Sequence, residues 1–212
     1  MSKTEIDKVT PMLRFPEFRK SGGWKEKKLG EITVKVSKKN KDAVKYPIYS
    51  INNIDGFLPQ SDQFEGLDSN SRGYDISLYK IIERNTFAYN PARINVGSIG
   101  YSGELHNVIV SSLYVCFKTK EMVVDSFLLY LLKSEAFNEA VQKTVEGGIR
   151  NYLFYENFAT IKVHIPEKLE QQKIADCLSS VDNLIRLQSQ KLDALREHKK
   201  GLVQQLFPNK LS

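Results

Sequence analysis

The stretch LEQQKIADCLSSVDNLIRLQSQKLDALREHKKGLVQQL, residues 169–206, determines how the chain is organised. It contains no proline and one glycine, Gly201, so little in it interrupts a helix. Apolar residues recur at alternating steps of four and three, the heptad spacing of a coiled coil. The positions that this spacing defines are Ile174, Leu178, Val181, Ile185, Gln188, Leu192, Leu195, Lys199, Leu202 and Leu206. Eight of these ten are apolar, which predicts a helix about 55 Å long with an apolar stripe.

An apolar stripe of this length has to be covered by something. Packing on the chain's own domain is one option, but the helix is longer than a small domain is wide. A partner helix is the other option, and the polar positions Gln188 and Lys199 would then fix register and orientation at some cost in stability. We therefore predict a dimerisation and docking helix over residues 169–212 and a separate domain over residues 1–168.

The residues before the helix have the composition of one folded domain. With 212 residues in all, there is room for one well-packed domain and an appendage. Hydrophobic residues make up 41%, which argues against disorder. Cys116 and Cys177 are far apart, so no disulfide framework is expected and a reducing cytoplasm is indicated. Because the N-terminus is polar, we expect no signal peptide. Because there is no long apolar run, we expect no membrane span.

Strand and helix patterns alternate irregularly along this domain. Trp24, Leu29 and Ile32 are candidates to anchor the N-terminal stretch to a core. Asp125 is a candidate cap for a helix over 126–143. The strand-like stretches, rich in β-branched and aromatic residues, are 46–51, 76–82, 86–90, 108–118 and 158–166. We predict an α+β fold with mixed, largely antiparallel pairing, followed by the long C-terminal helix.

Basic charge is concentrated in the first quarter of the chain. The formal net charge is +6 overall, but residues 1–50 hold 13 Lys and Arg against 6 Asp and Glu. Such a region can face the phosphates of a nucleic acid, although a solvated, lysine-rich surface is the alternative. The candidate phosphate contacts are Lys35, Lys38, Lys39 and Lys41.

Several polar loops offer side chains suited to reading DNA bases. Arginine can bond guanine through two hydrogen bonds, and asparagine can do the same with adenine. Each residue taken singly can also be a turn, a cap or a surface charge. The candidates are Arg72, Tyr74, Arg93, Asn95, Tyr101, Arg150 and Asn151. Their loops could converge on one groove, with the lysines on the flanking phosphates.

No catalytic arrangement is recognisable in the sequence. His106, His164 and His198 are scattered and far from any cysteine, which argues against a zinc site. There is no phosphate-binding glycine loop and no nucleophile-elbow spacing. The stretch Asn90–Arg93, NPAR, lacks the second proline and the aromatic residue of the methyltransferase NPPY loop. We predict that the chain has no catalytic residues and binds no metal or cofactor.

Several segments resemble the specificity subunits of type I restriction–modification systems. LRFPEF (13–18) and GWKEKKLGEI (23–32) resemble the start of that family's recognition domain, and NPARINVGSIGYSGE (90–104) resembles its middle. GGIRNYLFYENFATIKVHIPEKLEQQKIADCLSSVDNLI (147–185) resembles the boundary between domain and helix. EHKKGLVQQLFP (197–208) resembles the helix end. The segments occur in the family's order and span nearly the whole chain.

The resemblance implies a non-catalytic subunit that binds double-stranded DNA. It also implies partners: a methyltransferase (modification) subunit carrying S-adenosylmethionine and, through the complex, a restriction subunit that uses ATP and Mg²⁺. Usual members have two recognition domains and two antiparallel helices. This chain has one of each, so it resembles a half-length subunit that reads one half of a bipartite target. Two copies paired through antiparallel helices would read an interrupted palindrome.

Two other classes of protein remain open at this point. A coiled-coil adaptor would lack salt-sensitive, sequence-selective DNA binding. A standalone nuclease or methyltransferase would be active with only a metal or a methyl donor added.

Overall fold

The computed structural model of the chain describes residues 9–63, 73–145 and 152–207. The chain divides into two compact units, Met1–Gln172 and Lys173–Ser212. The functional division into residues 1–168 and 169–212 stays a prediction.

The first unit is an α+β domain made of short elements. Its strands within the described residues are β1 (Lys25–Lys28), β2 (Thr33–Val36), β3 (Ile48–Ile51), β4 (Phe57–Pro59), β5 (Lys80–Ile82), β6 (Phe87–Tyr89), β7 (Ile99–Tyr101), β8 (Val108–Val110), β9 (Val115–Thr119) and β10 (Lys162–Ile165). The helices are α1 (Leu29–Ile32), α2 (Gln60–Gln63), α3 (Asp125–Leu131), α4 (Glu135–Val145), α5 (Tyr155–Phe158) and the long α6 (Lys168–Leu206). Two 3-10 turns lie at Pro16–Phe18 and Ile94–Val96.

The strands form two four-stranded sheets and a two-stranded ribbon. Sheet I has the order β2-β9-β6-β7 and sheet II the order β4-β3-β8-β5, while β1 pairs with β10. The pairing is antiparallel except between β3 and β8, which run parallel. The predicted α+β fold, largely antiparallel and followed by a long helix, is confirmed.

The core is built on both faces of sheet I. The cluster between the two sheets consists of Ile51, Ile82, Ala88, Val108, Val110 and Cys116. Aromatic rings also pack in the core: the rings of Phe87 and Phe117 stack 4.9 Å apart, and Phe117 lies 5.0 Å from Phe158. Because apolar side chains alternate between the two faces of β6 and β9, both faces of these central strands are covered.

The apolar run 108–118 is two strands in different sheets, not one. It is broken at Ser111–Tyr114, where the Tyr114 backbone N–H donates to the Ser111 carbonyl at 3.1 Å. β8 belongs to sheet II and β9 to sheet I. A continuous apolar pattern does not reveal this change of sheet, because both halves are buried.

The predicted helix over 126–143 is likewise two helices, α3 and α4. Ser134 separates them: its hydroxyl donates to the Leu131 carbonyl at 2.7 Å and accepts the Phe137 N–H at 3.3 Å. Serine competes with the helical backbone in this way and so favours helix ends. Asp125 is the first residue of α3, whereas the cap position is Val124.

The strands predicted at 76–82 and 158–166 are real but shorter. Turn bonds occupy the first residues of 76–82, since the Ser77 N–H donates to Asp75 and the Tyr79 N–H to Ile76. Phe158 ends the helical turn α5, so β10 begins only at Lys162.

The first turn of α6 belongs to the domain and is fixed there by polar contacts. The buried carboxylate of Glu170 accepts hydrogen bonds from Arg14 Nε at 2.8 Å and Nη2 at 2.7 Å, and from Trp24 Nε1 at 3.3 Å. The Gln171 side chain accepts the Val124 N–H and donates to the carbonyls of Met122 and Pro166. Trp24 also contacts Phe127 edge-on, so the predicted anchoring role of this N-terminal stretch is confirmed.

The long helix itself is continuous over 39 residues, or about 58 Å. Its predicted existence is confirmed, but its pairing into a coiled coil stays a prediction. Seven of the eight apolar stripe residues are exposed, and Ile174 is half-buried. None of the helices in the described parts of the chain is both long and apolar enough to cross a membrane.

Candidate nucleic-acid interface

A basic groove of about 680 Å³ lies along the edge of sheet II. Five cationic side chains line it against two carboxylates, so its electrostatic character is positive. The charged lining residues are Lys38, Lys39, Lys41, Arg84 and Lys118, with Asp42 and Glu83. The rest of its wall is uncharged apart from any charge on His106, and consists of Asn40, Val44, Tyr46, Ile81, His106 and Asn107.

The lysines of the groove are carried by a segment that is bonded to the sheet edge. The Ile81 N–H donates to the Lys38 carbonyl at 2.7 Å, and the Asn40 N–H donates to the Tyr79 carbonyl at 2.9 Å. The buried Asn40 side chain then closes the turn by bonding both backbone polar groups of Val44, at 2.9 and 3.1 Å. This leaves Lys39 and Lys41 exposed on a fixed backbone.

The cations of the groove differ in how far they are already neutralised. Lys38 and Lys118 both pair with Glu83, at 3.0 and 3.4 Å, and hold the pKa of its carboxyl below the usual value. Among the described residues, the ammonium groups of Lys39 and Lys41 have no ion-pair or hydrogen-bond partner. These two are therefore the cations most available to a polyanion.

Lys35 does not line the groove, although it was predicted with the other lysines. It forms an ion pair with Glu156 at 2.7 Å, and its ammonium lies 5.8 Å from the centre of the Tyr155 ring. Lys35 lies within β2 and faces α5. Lys38, Lys39 and Lys41 follow the end of β2 and line the groove.

A second surface is formed by two loops that touch each other, Asn52–Gly56 and Asn90–Ser98, here called the paired loops. In the first, the Asn52 side-chain oxygen accepts the backbone N–H groups of Ile54, Asp55 and Gly56, at 3.1, 2.7 and 3.1 Å. In the second, the Asn90 N–H donates to the Ser98 carbonyl at 3.1 Å. Each loop is therefore closed by its own hydrogen bonds.

The two loops are held together by small residues. The buried Ser98 hydroxyl donates to the Ile51 carbonyl at 2.9 Å. At Gly100, two residues after the second loop, a Cβ atom would lie 2.9 Å from the Phe57 ring and 3.1 Å from Gly56. Gly97 has a positive φ of 81°, which favours glycine. The loops therefore form one continuous surface.

The predicted base contacts Arg93 and Asn95 both lie on the paired loops. Both are exposed, and their side chains have no hydrogen-bond or ion-pair partner within the described ranges. An exposed guanidinium and an exposed amide on a fixed backbone provide the donors and acceptors that purine edges require.

The other predicted base contacts are placed elsewhere. Tyr101 is half-buried, and its hydroxyl lies 2.8 Å from Asn85 Oδ1 and 2.7 Å from an Asp125 carboxylate oxygen. Burial and this carboxylate raise the pKa of the phenol. Tyr74 is exposed in the loop before β5. Arg72, Arg150 and Asn151 lie outside the described residues.

The basic groove and the paired loops lie at different strands of sheet II. The segment that carries Lys39 is bonded to the edge strand β5, whereas Asn52 directly follows β3. In the order of the sheet, β8 lies between β5 and β3. The candidates therefore lie on two surfaces of the domain.

Sequence reasoning missed part of each surface. In the groove it missed Arg84, Asn107, His106 and Lys118, because the groove is assembled from segments far apart in the chain. In the first of the paired loops, the polar, glycine-containing stretch NNIDGF is typical of a functional loop, but the sequence suggested no particular contact residue there.

The mixed domain and most of the long helix match one family of proteins in sequence. Residues 21–197 match the family described as Type I restriction modification DNA specificity domain. The chain belongs to this family.

Two relatives illustrate the similarity in sequence. The proposed MjaX specificity subunit of a type I restriction enzyme from Methanocaldococcus jannaschii is 27% identical, over 97% of this chain and 49% of its own length. The HindI specificity subunit from Haemophilus influenzae is 25% identical, over 87% of this chain and 40% of its own length. The chain spans about half the length of the curated relatives it matches.

Two solved structures share the fold. One comes from work on complex assembly and conformational transition of the type I R-M system, with a TM-score of 0.59 at 15% identity over 95% of this chain and 52% of that one. The other is the HsdS subunit from Thermoanaerobacter tengcongensis, with a TM-score of 0.56 at 14% identity over 89% of this chain and 50% of that one. The predicted resemblance to type I specificity subunits is confirmed. The prediction that the chain belongs to a specificity class of protein, and not to a catalytic one, is confirmed with it.

Proposed function

We propose that this chain recognises a specific double-stranded DNA sequence for a type I restriction–modification system. The observation that carries the proposal is family membership over residues 21–197. Two surfaces support it: a groove with two lysines, and paired loops with an arginine and an asparagine, whose side chains have no ion-pair or hydrogen-bond partner among the described residues.

The two surfaces suit the two kinds of contact that DNA recognition needs. Phosphate contacts set affinity and position the protein, whereas contacts to base edges carry sequence information. Lys39 and Lys41 in the basic groove would contact phosphates. Arg93 and Asn95 on the paired loops would enter the major groove, where each base pair shows a distinct pattern of donors and acceptors.

Binding to a labelled duplex at graded salt concentrations tests this proposal. Neutralising two to five phosphates predicts that log K falls with log salt with a slope of about −2 to −5. The protein is the full chain, and excess unlabelled duplex of random sequence measures selectivity. Binding that is absent, or that ignores both salt and sequence, would instead favour a coiled-coil adaptor.

The proposal includes the partners and cofactors of the complex. The chain would read one half of a bipartite target and dock a methyltransferase subunit, which brings S-adenosylmethionine. A restriction subunit that uses ATP and Mg²⁺ would join through that complex. The support is that relatives such as the HindI protein are named as specificity subunits of type I restriction enzymes.

We also propose that α6 pairs antiparallel with a second copy of the chain. Full overlap of the ten stripe positions in this orientation places Val181 opposite Lys199 and Gln188 opposite Leu192. In a parallel, in-register pair, Lys199 would face Lys199 of the partner within an apolar seam. Because like charges repel most strongly where water is excluded, the stripe favours the antiparallel pair.

Light scattering at several concentrations tests the pairing. We expect a mass near twice 24.3 kDa for the wild-type chain. Leu192→Lys should give a monomer, because it places a charge in the stripe. Leu187→Lys is a matched control: Leu187 is 46% exposed against 48% for Leu192, but it lies outside the stripe and should leave the dimer intact. A wild-type monomer at micromolar concentration, or equal disruption by both variants, would overturn the antiparallel pair.

A further inference from the structure

Ile54 is an apolar side chain held out into solvent at the tip of the first paired loop. It is 80% exposed, and its neighbours Asn53 and Asp55 are exposed polar residues. It contributes little to the core, so fold stability does not explain an isoleucine at this position.

The loop that carries Ile54 is fixed in place. Asn52 bonds the N–H groups of three successive residues, including Ile54 itself at 3.1 Å. Its side-chain amide also donates to Asp55 at 3.1 Å. Gly56 is buried against Gly100 of sheet I. A side chain presented on such a backbone loses little conformational entropy on binding.

The position of Ile54 relative to the second loop suggests its contact. Asn53, the preceding residue, faces Gly97, where a Cβ atom would lie 3.7 Å from the Asn53 Cβ. Ile54 is therefore one residue from the loop that carries Arg93 and Asn95. Major-groove readers combine donors and acceptors for purine edges with apolar side chains for the C5-methyl group of thymine.

We propose that Ile54 is a specificity-determining residue that packs against the C5-methyl group of a pyrimidine, which in unmodified DNA is thymine. The proposal rests on the function proposed above and names the contact that the first loop makes. Arg93 and Asn95 would read the neighbouring bases through hydrogen bonds.

Substitution of the methyl group in the DNA tests this contact directly. The probe is the duplex that the wild-type chain selects from a randomised pool of duplexes. Each thymidine in it is replaced in turn by deoxyuridine, which keeps the base pairing and removes only the methyl group. We expect that one of these replacements weakens wild-type binding about fourfold, because the burial of one methyl group is lost. Ile54→Ala should bind the thymine and uracil duplexes equally.

A matched control separates this contact from general effects of an exposed apolar side chain. Leu13 is 88% exposed and lies next to Arg14, which bonds Glu170 rather than either paired loop, so Leu13→Ala should keep the preference for thymine. Restoring the methyl as 5-methylcytosine opposite guanine at the same position should restore part of the Ile54-dependent affinity.

Three outcomes would overturn the inference while leaving the proposed function standing. They are equal wild-type binding to all uracil duplexes, a thymine preference that survives Ile54→Ala, and an enriched target without thymine. Failure of the wild-type chain to select any duplex would instead overturn the proposed function, and the contact with it.

Discussion

The basic groove lies beside the edge strand β5, whereas the paired loops follow β3 and β6, and the two surfaces are constructed differently. The groove collects long, flexible lysines from separate segments, and part of its charge is already paired with Glu83. The paired loops present Arg93 and Asn95 beside backbones that are closed by Asn52 and by glycine contacts. A flexible lysine can contact a phosphate of any nucleotide, whereas hydrogen bonds to base edges require side chains that are held in a fixed geometry. Under the proposed function, this difference predicts that affinity and specificity reside on different surfaces and can be changed independently.

The largest effect is expected from the paired loops. Arg93→Ala should lower the affinity for the enriched target by about 5-fold to 150-fold, because a bidentate contact to guanine discriminates by about 1–3 kcal/mol. Binding to random duplex should change little. Competition titration measures both, and Arg19→Ala, which removes another exposed arginine, is the control. An equal loss on both duplexes would assign Arg93 to phosphate contact instead.

A smaller and different effect is expected from the basic groove. The double variant Lys39→Ala/Lys41→Ala should weaken binding to every duplex alike and reduce the salt slope by about 2, since each phosphate contact contributes about 0.9. Lys133→Ala, an exposed lysine outside the groove, should leave the slope unchanged. A change in sequence preference without a change in slope would contradict the separation of the two surfaces.

The smallest effect is expected at Tyr101. Tyr101→Phe removes the hydroxyl that bonds Asp125 and Asn85, which should cost about 1–2 kcal/mol of unfolding free energy. Thermal unfolding measures this as a fall in Tm of a few degrees, with sequence preference retained. Lost preference at an unchanged Tm would return Tyr101 to the base-contact role predicted from sequence.

The long helix and the fold class followed from the sequence because they depend on local periodicity. The four-and-three spacing from Ile174 to Leu206 required no knowledge of distant contacts. The run 108–118 shows the limit of local periodicity. Its two apolar halves have the same pattern, yet the chain turns at residues 111–114 and the halves join different sheets. A local pattern identifies which segments are buried, but it does not identify which sheet each segment joins.

The candidate surfaces were predictable only in part, for the same reason. Arg93 and Asn95 stood out because their residue types suit base edges. The groove did not, because it depends on Asn40 bonding Val44 and on Arg84 and Asn107 approaching from other segments. Lys35 shows the converse, since a lysine close in sequence to the groove is instead paired with Glu156.

Selection of bound duplexes from a randomised pool tests the central claim, sequence-specific recognition, most directly. The full chain is bound at the highest salt concentration that still permits binding, and the recovered duplexes are sequenced. The account predicts enrichment of one short sequence, present as two inverted copies at a constant separation where the chain is dimeric. Recovered duplexes with no common sequence, under conditions where the chain still binds DNA, would contradict it.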